Sequence, residues 1–563
     1  MANGQWLKAK KFMGFINFFK TSAPKPLRTD LDEAGQHKLH RSFAFQSFIA
    51  GTLGYSLYYV CRTAISVMKG PILDSDFMSL DQLTTITSIS LITYSIGKFV
   101  NGFLADHSNI KRFMATGLVI SAIACLMMGV IGLSSGKSVD EKADVIEAKT
   151  EVVATATVEN SDAVVPAIVE NSEVVADATV AAPTQETEVG QAVEAAEESA
   201  ATTPEKSEKK EKSKGKDAPF MIFLAFAILL GVSGWGQSMG APPAIIALSR
   251  WFPLSKRGTY YGFFSASHNI GEGLSLVFVG SIVGVAGWQW GFIGAAIAGA
   301  LGILIILLMM HDTPESKGLP SIEVLTGEMA AKKVEKKDSS ASKAQIIALK
   351  SPAVWILALA SGFMYISRYG MNYSGVLFME KVKGFGVAES AIILSINAWA
   401  GVIGTVVAGW MSDVLFKGDR KMPALVSGIL LSISYALFIY GGNEYWVTIL
   451  SMVLFGIAIG VLIAFLGGLM AVDLVPRKAT GAALGIVGMV SYACASLGEK
   501  ISGWLVHISE KTVETVNEAG EVITKTVEVY DFSEASIFWV GSSVISFLLP
   551  LLLWRKKKVN NEE

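Results

Sequence analysis

Twelve runs of roughly 19–28 mostly apolar residues recur along this chain. Each is long enough to cross about 30 Å of hydrocarbon as a helix. They lie near 43–67, 83–105, 113–134, 219–247, 258–285, 287–310, 353–378, 389–414, 423–441, 445–471, 480–506 and 535–554. Length alone, 563 residues, would allow several soluble domains. Composition points elsewhere: 51% of residues are hydrophobic and only 17% charged, against about a quarter charged in soluble domains. Lipid offers no water to backbone N–H and C=O groups, so the spans must be helices. The expected fold class is an all-α membrane protein of twelve transmembrane helices, with the lipid bilayer as a partner and no nucleic acid.

The net charge of −2 says less than its distribution. Eight Lys/Arg lie in the first 41 residues, and basic residues mark the even-to-odd connections: Lys111 and Arg112; Arg250, Lys256 and Arg257; a lysine-rich loop at 317–350; Lys417, Arg420 and Lys421; Arg477 and Lys478. The tail ends in WRKKK. The opposite short connections are nearly free of basic residues, apart from Lys69, Lys381 and Lys383. By the positive-inside rule both termini are cytoplasmic. The first span is too long for the h-region of a cleaved signal. Cys61, Cys125 and Cys494 all fall in predicted spans without metal-ligand spacing, and are expected to pack as small apolar residues.

Six spans precede the lysine-rich loop and six follow it. Each half carries a matching loop between its second and third helices, GFLADHSNIKR at 102–112 and GWMSDVLFKGDRK at 409–421. Asp106 and Asp413 are 307 positions apart. A repeat of six-helix bundles suggests a transporter with its site where the repeats meet. Gly-x-x-x-Asp with a following basic residue, twice, in a six-plus-six chain resembles the major facilitator superfamily. Asp106, Arg112, Asp413 and Arg420 are then expected to organise gating loops. The expected organisation is a cytoplasmic segment (1–42), a first bundle (43–310), a cytoplasmic linker (311–352), a second bundle (353–554) and a cytoplasmic tail (555–563).

Two insertions interrupt the pattern. Residues 136–217 hold fifteen acids and two lysines between 139 and 200, repeat VENS at 158–161 and 169–172, and then turn basic. This low-complexity stretch is expected to be disordered and external. The second insertion, 508–531, alternates apolar and polar residues around Asn517–Gly520 and reads as an external β-hairpin. GLSSGKS at 132–138 echoes a phosphate-binding loop, but its glycines are one residue too close, so no nucleotide or other cofactor is expected. No nucleophile–base set or metal cluster suggests an enzyme.

A charged residue inside a span is costly and faces the bundle interior when it is functional. Arg62 lies in GYSLYYVCRTAISV (54–67), and Tyr55, Tyr59, Arg62 and Ser66 recur at helical spacing. Span seven repeats the device with Tyr365, Arg368, Tyr369, Asn372 and Tyr373. Arg62 and Arg368 are 306 positions apart, almost the landmark offset. Neither span holds a carboxylate, so two unpaired guanidiniums are expected to face each other with an anion between them. Their forks suit phosphate oxygens bidentately. Lys98 lies one turn after Tyr94 in span two. His268 shares a face with Tyr261, Ser265 and Glu272 in span five. Glu499 and Lys500 are adjacent in span eleven, either structural or facing substrate.

The motifs YYVCRTA, SIGKFVNGFLADHSN, GWGQSMGAPP, SHNIGEG, HDTPESKGLP, YISRYG and DLVPRKATGAALG resemble the organophosphate:phosphate antiporters over essentially the whole chain outside the insertions. The resemblance implies phosphate binding by Arg62 and Arg368, with Lys98 and His268 alongside. It implies exchange of a phosphate ester for inorganic phosphate across a bacterial inner (plasma) membrane. RYG after Arg368 resembles the glycerol-3-phosphate branch, with hexose 6-phosphate second. The pattern also departs from the family. Thr63 stands for a lysine, Ala398 for a glutamate, Tyr373 for an aspartate, Leu462–Ile463 for Gly-Pro, Leu484 and Val487 for an Asp/Lys pair, and Glu272 for a glycine. Tyr59, Tyr94, Tyr365 and Tyr369 are expected to line the cavity of a monomer. Glu272, Asn372, Glu499 and Lys500 are candidates for substrate or proton coupling. Two alternatives remain: a phosphate-ester sensor of the same fold, and a proton-coupled anion symporter using Glu272 and His268.

Overall fold

The structure, a computed structural model, describes residues 18–135, 217–326, 346, 348–411, 416, 420–470, 474–475, 480–516 and 522–553. The first half comprises α1 (Glu33–Asp74), α2 (Leu80–Asp106), α3 (Ile110–Ser135), α4 (Phe220–Gln237), α5 (Ala241–Trp251), α6 (Leu254–Ala286) and α7 (Trp288–Met309). The second comprises α8 (Pro352–Lys381), α9 (Val387–Trp410), α10 (Lys421–Tyr440), α11 (Tyr445–Ala464), α12 (Thr480–Leu505) and α13 (Ser533–Leu548). Together α4 and α5 make one span, so the described helices give twelve crossings. Most of the acidic insertion, and the turn of the hairpin at 517–521, lie outside the described residues.

Nine of the twelve are apolar enough to be read as spans from composition alone. The other three are α1, α8 and α12, of 42, 30 and 26 residues. Length qualifies them, since about 20 residues suffice. They fall short in hydropathy because they carry Arg62 and Lys69, Arg368, and Glu499 with Lys500. Their polar faces point at protein, as intramembrane charges must.

The packing is a two-fold repeat. In the first half α1 packs on α6 and α7, α2 on α4, and α3 on α4 and α7. In the second, α8 packs on α12 and α13, α9 on α11, and α10 on α11 and α13. Each contact is the other half's contact moved six spans along. Between the halves α2 meets α12, α6 meets α9, and α1 meets α8. The first two are again exchanged by the same operation. This is the six-plus-six repeat expected from the sequence.

Two helices differ from the apolar runs. First, α1 starts ten residues before the apolar run, capped by Asp32, whose side chain accepts from Gly35 N at 2.9 Å. It also continues seven residues past the run, to Asp74. Lys69 is therefore no loop residue; it lies in the helix with 0% exposure. Second, the expected continuous fourth span breaks at Ser238–Gly240. Pro242 and Pro243 cannot donate backbone bonds, so they open a new helix rather than extend the old one. A Cβ on Gly240 would crowd the Tyr55 ring at 3.0 Å.

One end of the bundle carries the hairpin, β1 (His507–Val516) and β2 (Val522–Asp531), antiparallel with His507 opposite Asp531. At this hairpin end the halves are tied together. Lys381 bonds Asp74 across them. Lys500 Nζ reaches Asp81 at 2.7 Å, and Ser88 and Ser496 exchange hydroxyl-to-carbonyl bonds at 2.9 and 2.8 Å. A Cβ on Gly280 would sit 2.6 Å from Ala391, and one on Gly284 2.9 Å from Ala388. Towards the opposite, loop end the ties reach Ser95, whose hydroxyl donates to Met489 O at 3.2 Å. Farther along, Gly102 and Gly485 face open space, with nothing within 4 Å of a Cβ. Lys383, like Lys381, is used internally, donating to Gly442 O.

At the loop end, Asp312 gathers three donors. Ser22 N bonds it at 2.7 Å, Ile110 N at 3.1 Å and Arg250 Nη1 at 2.5 Å. Arg112 Nη1 holds Phe18 O at 3.0 Å. The HDTPESKGLP motif thus anchors the chain ahead of α1. The side chain of Asp106 and all of Asp413 lie outside the described residues, and Arg420 is the N-cap of α10. His311 is buried beside Phe43, with Nε2 3.0 Å from Gln46 Oε1. Burial, reinforced by Lys317 and Lys111, holds its imidazole down at about 4. An unfolded histidine titrates near 6.5. The native state therefore binds fewer protons between these values, and stability is complete above about 6.5 and falls as pH drops towards 4. The apparent melting temperature in detergent should fall over that window, and His311→Gln should flatten the slope.

Candidate functional site

Midway between the ends, α1, α2, α6, α8 and α12 converge on a cluster of cations and tyrosines. Arg62 is 5% exposed. Its Nε donates to Gln237 Oε1 at 3.0 Å, and Gln237 is held in turn by Ser233 Oγ at 3.0 Å. Gln237 is in position because α4 stops there, at the break. The guanidinium lies 4.4 Å from the Tyr59 ring centre and 4.1 Å from that of Tyr94. Both terminal nitrogens, Nη1 and Nη2, are buried without a hydrogen-bond partner. Aromatic faces offer a cation modest compensation, roughly 1–2 kcal/mol when desolvated. They do not satisfy the four N–H donors of the fork.

Arg368 departs from the sequence expectation of two unpaired guanidiniums. Its Nη2 donates to Glu272 Oε2 at 2.9 Å, and Asn372 Nδ2 donates to the other oxygen, Glu272 Oε1. The carboxylate comes from α6, ninety-six positions earlier and in the other half. Arg368 has a protein counter-ion; the free fork is that of Arg62. Glu272 and Asn372, named in the sequence as coupling candidates, are both part of this site.

The remaining residues fill the walls. His268 lies one turn before Glu272, its ring 5.9 Å from Tyr59 and its Nε2 buried without a partner. The charges of Arg62, Arg368 and Lys98 all act on it. Lys98 is exposed, with Nζ 5.0 Å from the ring centre of the buried Tyr492. Tyr492 stacks on Tyr94 at 4.6 Å, on Tyr365 at 5.2 Å and on Tyr369 at 6.0 Å, joining the halves through aromatic contacts. Thr63 turns its hydroxyl back to Tyr59 O at 2.9 Å, and Ser66 bonds Thr63 O at 2.6 Å. Both hydroxyls are engaged within α1.

Glu499 and Lys500 separate, as adjacent helical residues do. Glu499 bonds Lys69, with both side chains at 0% exposure, and accepts from Thr87 at 3.1 Å. Lys500 holds Asp81 and also donates to Thr85 Oγ1 at 2.6 Å. Both pairs cross between the halves, on the hairpin side of Arg62. Gln237, Tyr492 and Lys69 are the residues sequence reasoning missed. Only the glycine-proline break after Gln237 carried a usable signal.

A family model described as Major Facilitator Superfamily matches residues 218–499. Over 557 residues the chain is 24% identical to a probable hexose phosphate transport protein of Chlamydia pneumoniae, covering 95% of this chain and 97% of that protein. Over 500 residues it is 26% identical to the glycerol-3-phosphate transporter of Bacillus subtilis strain 168, covering 87% and 92%. Among solved structures, the crystal structure of a D-xylose-proton symporter superposes with a TM-score of 0.56 at 13% identity, over 92% of this chain and 99% of that one.

Proposed function

The chain belongs to the major facilitator superfamily, and from that premise we propose that it carries small phosphate esters across a bacterial inner membrane, in exchange for inorganic phosphate, by alternating access. One observation carries the reading: Arg62 holds two buried guanidinium nitrogens without a hydrogen-bond partner, beside the Tyr59 and Tyr94 rings where the halves meet. A phosphate dianion supplies the oxygen acceptors that this fork lacks. Lys98 and the unpartnered Nε2 of His268 lie alongside. Three cations, Arg62, Arg368 and Lys98, against one carboxylate, Glu272, leave two positive charges for a dianion. The names of the relatives, transporters of hexose phosphate and glycerol 3-phosphate, support the same substrate class. Glycerol 3-phosphate is the first candidate and hexose 6-phosphate the second.

The mechanism follows from where the cations lie. The substrate enters from the loop end, which the excess of basic residues makes cytoplasmic. Its phosphate docks on Arg62, and its hydroxyls meet Glu272 and Asn372. Neutralising the pocket lowers the cost of closing it, so the loaded halves rock about the site. Tyr59, Tyr94, Tyr365 and Tyr369 exclude water from the phosphate. One chain supplies every group, so a monomer suffices. The experiment is exchange by the purified protein in vesicles loaded with inorganic phosphate, against a panel of labelled phosphate esters. At least one three- to six-carbon ester should enter and be blocked by external phosphate. Ester binding without any exchange would replace the carrier by a sensor. Uptake needing a proton gradient but no internal phosphate would favour the symporter.

A further inference from the structure

Glu272 is an acid in a pocket otherwise built of cations, and it is 2% exposed. Its two oxygens are taken by Arg368 Nη2 and Asn372 Nδ2. Glu272 belongs to α6 in the first half; Arg368 and Asn372 belong to α8 in the second. A protein carboxylate therefore bridges the halves where a substrate anion would otherwise have to. The bridge does not hang across open space. One residue away, a Cβ on Gly273 would meet the Trp399 ring at 2.8 Å, and one on Gly401 would meet Asn269 at 3.3 Å. The pair, between α6 and α8, sits beside the seam of α6 and α9.

This alters the energetics of the empty carrier. With both arginines bare, closing an unloaded pocket would bring like charges together out of water, which is prohibitive. An empty carrier of that design stays put until an anion returns, and exchange is compulsory. Here one guanidinium is already neutralised by Glu272. The other is flanked by the Tyr59 and Tyr94 rings, and Lys98 lies against the Tyr492 ring. Resting on the phosphate-carrier reading above, we infer that Glu272 stands in for the substrate's phosphate at Arg368, so that the empty carrier closes and returns. The protein then performs net movement of its substrate as well as exchange.

The test uses the full-length protein in proteoliposomes, with radiolabelled inorganic phosphate outside and potassium plus valinomycin to discharge any potential. Vesicles are loaded either with unlabelled phosphate or with phosphate-free buffer. Wild type should fill both, with phosphate-free entry within about tenfold of exchange, since Arg368 keeps its counter-ion through the return step. Glu272→Gln keeps the shape and removes the charge. Its ratio of phosphate-free entry to exchange should drop at least about tenfold, the effect of one lost buried ion pair on the return barrier. Glu272→Asp, which keeps the charge on a shorter stem, should lie between. Exchange by wild type without phosphate-free entry overturns the inference and leaves the carrier reading standing. Neither exchange nor entry overturns both. A wild-type ratio in Glu272→Gln removes Glu272 from the role. If that variant fails to fold, the wild-type ratio and Glu272→Asp still decide.

Discussion

Arg62→Lys cuts phosphate exchange by about a hundredfold or more, since losing two charge-assisted bonds of roughly 1.5–3 kcal/mol each exceeds what a point charge restores. The geometry makes this substitution harsher than its conservative look. A lysine ammonium has no Nε to bond Gln237 and no planar face to lie between Tyr59 and Tyr94. The fork is set by those three contacts and offers Nη1 and Nη2 together. Arg368→Lys should cost less, because its ammonium can still pair with Glu272. Equal losses in the two variants, or exchange by Arg62→Lys near the wild-type rate, would show that the phosphate is not held by the free fork. The readout is the initial rate of labelled phosphate exchange, normalised to protein recovered by gel filtration.

The second large effect is on stability. Glu499→Leu leaves Lys69 fully buried with no counter-ion. Breaking one side of a buried pair costs about 3–5 kcal/mol. The apparent melting temperature in detergent should fall by several degrees, with low recovery from membranes. Adding Lys69→Met should restore most of it, because an apolar pair of similar volume avoids the desolvation that the ions incur. The double variant also isolates the coupling between the two positions. A single variant that melts with wild type would mean that Lys69 finds another partner, and the pair would then not hold the hairpin end.

How far the sequence could be read is clear from particular residues. Arg62 stood out because it interrupts an apolar run, and the offset to Arg368 made it one of a pair. The twelve spans and their repeat were legible for the same reason: hydropathy and spacing are local or periodic properties. Lys69 was not legible. The run loses hydropathy after Val67, yet the helix continues to Asp74, because the second half rather than lipid covers its last turns. The partner of Arg368 was invisible too. Sequence places Glu272 on a polar face of its own helix, but nothing local says which helix that face meets. Gln237 could have been suspected only from the break beside it, where two prolines follow a glycine.

The two seams between the halves are made of different materials. Along α2 and α12 the contacts are hydroxyls, an aspartate, the buried Glu499 and a lysine, with Lys500 and Asp81 partly exposed. Along α6 and α9 they are Gly280, Gly284, Ala388 and Ala391 in van der Waals contact. Parting the first seam trades protein hydrogen bonds for bonds to water, at little net cost. Parting the second strips close-packed backbone of neighbours that water does not replace. The hairpin end thus behaves as a door with a latch on one edge and a hinge on the other. In the alternating access proposed above, it is expected to swing along the small-residue edge while the polar edge unfastens, with solvent first entering beside Lys500.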